Sequence, residues 1–435
     1  MSEPTTPTTD SIDVSWKRQV AIFLTGQTIS LLGSMLVQFA VMWHLTIETR
    51  SGAVLMWSIV FGMLPQAFVS IFGGVWADRH NRKMLIVLAD TTIAVTTLAL
   101  ALLMLSGVDD LWVIYVALAV RSTFAGIQTP AVGALVPQIV PADQLLRING
   151  INQTIQSGMM LLAPALAAAL YANLTIVSVF FVDVVTALIG VGLLLLVRVP
   201  PLPRAADDVA AASGASGYFG DLVAGLRYIR AHPSVRWLTG LLAVVMVLVG
   251  APSYLTPLMV TRTFGPEVWK LTVNELCWAA GMLAGGVLMA ALGRRLTNRF
   301  AVMLGCIAAA GVGTVGLGLS TSLVVFFALG ALVAFSFAPM NAITLTIFQE
   351  KVDPEMLGRV FGFVGIVMTV SMPLSMVVFG PLADEVSVES LLVVAGALLL
   401  GALGVLMALP SARRSLREVA GPPADVPAPA EVDAR

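Results

Sequence analysis

Four ionisable residues stand where water should not reach: Asp90, Arg121, Asp183 and Glu275 each lie inside a long apolar run. Charge in hydrocarbon is expensive, so such groups pair with one another or mark a path for ions and protons. Arg121 sits near the middle of its run, Asp183 at a similar depth, and Asp90 nearer one end. Arg121 with one of these carboxylates could serve only to hold helices together. Alternatively, a carboxylate alternates between Arg121 and a proton, so that proton movement is coupled to conformation and to a competing ligand. Glu275 also admits two uses. Thr272-x-x-Glu275 fits a capping box that merely starts a helix; the same carboxylate would suit proton uptake or attraction of a cationic amine.

Bond-making chemistry finds no support. His44, His80 and His232 are scattered without metal-ligand spacing, and Cys277 and Cys306 fall inside apolar runs with no disulfide framework. No glycine-rich phosphate loop ending in Lys-Ser or Lys-Thr occurs, which argues against direct ATP drive. The expectation is a protein that is not an enzyme, with no cofactor and no metal.

The elements that must position these residues are membrane spans. The chain is 58% hydrophobic and 11% charged, against about 25% charged in soluble domains, so most of it faces lipid. A net charge of -1 gives no reason to expect a nucleic-acid partner. About 20 apolar residues cross a bilayer as a helix. Twelve such runs occur, roughly at 19–46, 52–76, 83–106, 111–137, 148–172, 175–197, 236–261, 271–293, 299–319, 322–347, 357–382 and 388–410. All lysines and arginines but Arg50, Arg262, Lys270 and the intramembrane Arg121 fall on one side, which predicts both termini in the cytoplasm.

The expected organisation is a disordered tail at 1–15, not a signal peptide, and a six-helix bundle at 16–198. A cytoplasmic linker comes next at 199–235, then a second six-helix bundle at 236–411 and a disordered tail at 412–435. Within the linker, Phe219, Leu222, Leu226 and Ile229 share one face of a possible surface helix. A parallel repeat links the halves. Pro141-Ala-Asp-Gln-Leu-Leu-Arg147-Ile-Asn-Gly150 matches Asp353-Pro-Glu-Met-Leu-Gly-Arg359-Val-Phe-Gly362 at an offset of 212.

Polar residues within spans are candidates for a wet cavity. Gln27, Ser34 and Gln38 lie along one face of span 1, as helix-helix glue or as a cavity wall. Tyr254, between Pro252 and Pro257, suggests a broken and adaptable span 7; Asn341 and Thr344 offer hydrogen bonds in span 10.

One loop carries a family resemblance. Gly74-x-x-x-Asp78-Arg79-x-x-Arg82-Lys83 resembles the signature loop between helices 2 and 3 of the major facilitator superfamily, with Asn81 at a place the family usually gives to glycine. Asn tolerates the left-handed backbone that such a glycine supplies. The resemblance implies an all-α membrane fold of twelve helices in two six-helix halves related by a pseudo-two-fold axis, with helices 1, 4, 7 and 10 lining a cavity. It also implies a conformational latch of Gly74, Asp78, Arg79, Arg82 and Arg359. In that latch Asp78 faces the start of span 11 near 357–360, where the helix dipole favours negative charge, and Arg82 pairs with an acid near Glu350 or Glu355. The alternative for Asp78 is a solvated turn charge.

Trp16-Lys17 with Gly26-Gln27, Gly281-Met-Leu-Ala-Gly-Gly286, and Phe348-Gln-Glu-Lys351 with Leu357-Gly-Arg-Val-Phe361 are similar to bacterial macrolide-efflux transporters. Gly158 and the Ala163-Pro164 stretch partly match an antiporter motif of drug exporters, with close packing as the plainer reading. The resemblance implies a secondary active exporter of small amphiphilic compounds, exchanged for protons, monomeric, in the bacterial plasma (inner) membrane. A siderophore or lysophospholipid exporter, or a non-transporting membrane sensor, is the alternative.

Overall fold

A computed structural model describes residues 9–199, 215–296 and 298–408, and among them there is no strand. Helices α1 (Thr9–Thr49), α2 (Gly52–Arg79), α3 (Arg82–Leu105), α4 (Leu111–Ile139), α5 (Leu145–Asn173) and α6 (Ile176–Leu196) are followed by a shorter helix, α7 (Ala215–Ala231). Then come α8 (Pro233–Met259), α9 (Val268–Leu292), α10 (Arg299–Leu319), α11 (Leu323–Lys351), α12 (Leu357–Glu385) and α13 (Val388–Ala408). All but α7 are long and apolar enough to cross a membrane, which makes twelve spans among the described residues. With no water in the bilayer core, a helix that satisfies its own backbone is the arrangement such sequences require.

Sequence periodicity decides which face each helix shows. On α3, Leu88, Val95 and Leu102 recur every seven residues and are exposed, as lipid-facing residues should be. Asp90, Ile93, Thr97 and Leu100 lie buried on the other side. On α6 the buried stripe is Ile176, Val179, Phe180, Asp183, Ala187, Gly190 and Leu194. Asp90, Thr97 and Asp183 thus occupy inward-facing positions that apolar residues would otherwise hold.

The chain resolves into two compact units. One gathers α1–α6 with Tyr254–Ala279 and Pro373–Val388; the other gathers Phe219–Ser253, Ala280–Met372 and α13 from Glu389 onward. Parts of α8, α9 and α12 thus cluster by contact with α1–α6. Helix α1 begins at Thr9, within the 1–15 segment.

Glycines set the closest approaches in the first unit. A Cβ on Gly26 would lie 3.1 Å from the Gly190 carbonyl oxygen, and one on Gly190 would lie 2.9 Å from that of Gly26, so α1 and α6 cross nearly backbone to backbone. Gly73 and Gly126 do the same for α2 and α4. Ser122 of α4 then accepts from the Gln66 amide at 3.0 Å, next to Pro65 within α2. In the span 5 stretch, Ala163, Pro164 and Ala167 are buried, which is the packing reading of that segment.

In the second unit, Gly281 and Gly285 of α9 face the backbone of Ala331 and Phe335 of α11. Helix α7 packs its Gly225 against the Arg359 carbonyl of α12, buries Ile229, and sets its Tyr228 hydroxyl 3.2 Å from the Asp353 amide. The apolar face expected to lie on a surface therefore docks in part on the first turn of α12. Span 7 is not broken at Pro252 or Pro257: α8 runs through both and ends in a π-helical turn at Val260–Phe264.

Candidate functional site

Arg121 and Asp183 belong to one polar group drawn from four helices of the first unit. Arg121 Nη1 of α4 reaches Asp183 Oδ2 of α6 at 2.6 Å. Thr97 Oγ1 of α3 donates to the same oxygen at 3.0 Å and also contacts Arg121. Ser34 Oγ of α1 donates to Asp183 Oδ1 at 3.4 Å. Both Asp183 oxygens therefore have partners, in a side chain with no exposed surface. Gly33 makes the room: a Cβ there would lie 2.9 Å from Asp183 Oδ1.

Asp90 is held differently. Gln128 of α4 donates to its Oδ1. Its Oδ2 and the nearby Gln27 Nε2 of α1 are both buried, and neither completes a hydrogen bond of normal geometry. The carboxyl is 2% exposed, and its polar surroundings are neutral amides and the more distant Asp183. Arg121 thus pairs with Asp183, while Asp90 faces the neutral amides of Gln128 and Gln27. A proton on Asp183 would have to compete with Arg121; one on Asp90 would compete only with these amides.

Glu275 lies apart from this group. Helix α9 begins at Val268, and Thr272 Oγ1 donates back to the Val268 carbonyl at 2.9 Å, so Thr272 is an interior residue and the capping-box reading is corrected. The helix starts earlier because Glu267 precedes it, with the Lys270 amide bonded to the Glu267 carbonyl at 2.9 Å. Glu275 is left about 10 Å along the helix axis, beside Asn274 and near Tyr254. Asn274 reaches Thr256 at 3.5 Å, and the Tyr254 hydroxyl donates to Met63 Sδ at 3.4 Å.

The remaining candidates are dispersed. Gln27 and Ser34 turn toward the two acids, which is the helix-glue use of that stripe, and Gln38 is exposed. Asn341 is part-buried, with its Oδ1 lacking a partner among the described residues. Thr344 is buried, bonds to its own Met340 carbonyl and to Met303 Sδ, and borders a crevice with room for about one water molecule.

Of the expected latch, the side chains of Gly74, Asp78 and Arg79 fall outside the described residues. Asn81 does not take the left-handed backbone; it has φ -63° and caps α3 by accepting from the Met84 amide at 3.2 Å. An extended N-cap needs no glycine there. Arg82 donates to the carbonyls of Ala77 and Ala134, and Lys83 to those of Leu195 and Val197, so these cations serve the carbonyl-rich C-terminal parts of α2, α4 and α6. Glu350 pairs with Arg299, and Arg359 with Asp221 of α7 at 2.7 Å.

Sequence reasoning missed Thr97, Gln128 and Asp384. The first two are ordinary polar residues within apolar runs and give no signal alone. Asp384 had one: it is an acid at the end of a span, on the side where Arg50 and Arg262 break the charge bias.

Twelve apolar helices, a signature loop and a buried acid–arginine group define a polytopic membrane protein. The sequence profile of the Major Facilitator Superfamily matches residues 23–374, and the chain belongs to that family. It is 28% identical to Macrolide efflux protein A of Streptococcus pyogenes over 388 residues, covering 89% of this chain and 94% of that one. To the protein of the same name from Enterococcus faecalis it is 29% identical over 328 residues, 75% and 99% of the two chains. Among solved structures, a bacterial homologue of the human lysosomal transporter Spinster aligns with a TM-score of 0.63 at 15% identity, over 94% of this chain and 99% of that one, a likeness of fold.

Proposed function

We propose that this transporter is a secondary active exporter of amphiphilic compounds of macrolide type, which it moves out of a bacterial cell in exchange for protons. Its relatives named for macrolide efflux support the substrate class. The observation that carries the coupling is the unequal treatment of two buried acids. Asp183 is committed to Arg121, Thr97 and Ser34 and acts as a structural anchor. Asp90, faced by the neutral amides of Gln128 and Gln27, is the proton carrier. Glu275, with Tyr254, serves the substrate pathway in this reading, and Gln38, Asn341 and Thr344 are the further cavity candidates. Both termini are cytoplasmic, the protein works as a monomer in the plasma membrane, and the loop of Gly74, Asp78, Arg79 and Arg82 acts as the cytoplasmic latch.

Alternating access then requires that protonated Asp90 and bound substrate favour different conformations. The test is substrate-induced proton release from purified protein. Adding a macrolide to wild type should release protons; Asp90→Asn should abolish the release while leaving the fold intact. Release that persists in Asp90→Asn but is lost in Glu275→Gln would move the carrier to α9. No release in any variant, with efflux intact in cells, would remove proton exchange from the account. Undiminished efflux by Asp78→Asn would count against the cytoplasmic latch.

A further inference from the structure

At the end of α2 opposite the signature loop, the turn between α1 and α2 is gripped from two sides. The Asp384 carboxylate, in the last turn of α12, accepts from the Gly52 amide at 2.7 Å, the Ala53 amide at 2.9 Å and the Ser51 hydroxyl at 2.8 Å. These are free N–H groups at the start of α2, where the helix dipole also favours an anion. Arg262, on the π-turn that ends α8, donates to Asp384 at 2.9 Å and to the carbonyls of Ala383 and Arg50. Arg50 presents that carbonyl from a left-handed backbone, φ 47°, uncommon for a residue with a side chain. The helices meet through glycine: a Cβ on Gly380 would lie 2.7 Å from Met56 Cβ and 2.8 Å from the Gly52 oxygen.

Three features suit this junction to opening. Its charged side chains are 28% and 31% exposed, against 11% and none for Arg121 and Asp183, so water can take over the contacts when they part. Ser51 Oγ also accepts from the Val54 amide at 3.3 Å, so α2 keeps a cap of its own after Asp384 leaves. Segments of π-helix inside α-helical proteins are often found at functional sites, and this one carries the arginine.

We propose that Asp384, Arg262 and the turn 50–53 form a latch, closed in this conformation, that opens and recloses once per transport cycle. It rests on the proposed transport function and is independent of which acid carries the proton. The latch explains why Arg262 stands on the cation-poor side: its guanidinium holds the Asp384 carboxylate and the Arg50 carbonyl together.

The test uses the full chain in detergent, with Cys277 and Cys306 replaced by alanine and Met56→Cys as a probe behind the latch. Met56 is 7% exposed, so labelling by a charged maleimide should be slow in the parent. Hydrogen bonds to charged groups contribute enough that Asp384→Asn and Arg262→Gln should each speed labelling about tenfold or more, with the double variant little faster than either single one. Ser51→Ala should fall between. Should Asp384→Asn fail to give a monodisperse protein, Arg262→Lys and Ser51→Ala decide the matter by the same ordering. Parental labelling rates in the monodisperse variants, or rapid labelling of the parent itself, would overturn the latch. Because labelling needs no substrate, absent efflux by the unmodified protein beside the labelling order above would sink the exporter reading and the once-per-cycle role that rests on it; unchanged labelling beside intact efflux would sink the latch alone.

Discussion

Replacing Asp183 by Asn leaves a side chain of the same size whose single carbonyl oxygen can still accept from Thr97 or from Ser34, but it strips Arg121 of its counter-charge. Removing one partner of a buried ion pair costs about 3–5 kcal/mol in soluble proteins. Insertion scales put an arginine at the centre of a membrane helix at about 2.5–3.5 kcal/mol. Polar groups in a membrane find substitute partners even when helices separate, so the lower part of the range applies. The expected loss is about 3 kcal/mol, a factor of roughly 150 in the ratio of folded to unfolded protein. Replacing both partners, Arg121→Met with Asp183→Leu, removes two charges together and should bring stability back to within about 1 kcal/mol of wild type. Thr97 keeps a partner in that variant, because its hydroxyl can turn its one proton to the Ile93 carbonyl 3.0 Å away. The assay is reversible detergent-induced unfolding of wild type, both single variants and the double. An Asp183→Asn protein as stable as wild type, or a double variant that loses the sum of the two single losses, would refute the claim that the pair is one structural unit.

Gly126→Leu should destabilise by about 1–3 kcal/mol through overpacking, since its Cβ would lie 2.8 Å from the Gln66 oxygen; thermal unfolding in detergent reads this directly. Ser122→Ala should cost about 1–3 kcal/mol by orphaning the Gln66 amide, and a loss below about 0.5 kcal/mol would show that α2 re-satisfies itself. The exposed Arg359–Asp221 pair should matter less: Asp221→Asn should change stability by under about 1 kcal/mol and be insensitive at high salt, while Gly225→Val should detach α7 and increase its proteolysis. The hydrogen bond from Lys270 holds the Glu267 carboxyl below the usual carboxylate range. That contact is therefore present above the ordinary carboxylate value and is lost only as pH falls through the lowered one. A carbon-13 titration of Glu267 with a midpoint at or above that of a free glutamate would contradict it.

The twelve spans, the residues buried within them and the signature loop are legible in the sequence alone, because apolar length and backbone self-satisfaction are local properties. Asp90, Arg121 and Asp183 could be recognised as partners by the same logic, yet not which acid takes the arginine. That choice depends on α4 and α6 bringing together residues 62 positions apart, with Thr97 between them and Gly33 leaving space. Glu275 shows how a local pattern misleads: its capping-box spacing is real, but the helix begins a turn earlier. The Asp384 junction joins residues 332 positions apart. No periodicity encodes it, since a carboxylate at a helix end looks the same whether water or another helix's N-terminus lies beyond it. The sequence determined which groups had to leave the lipid; only the crossing of helices in three dimensions decided whom each of them met.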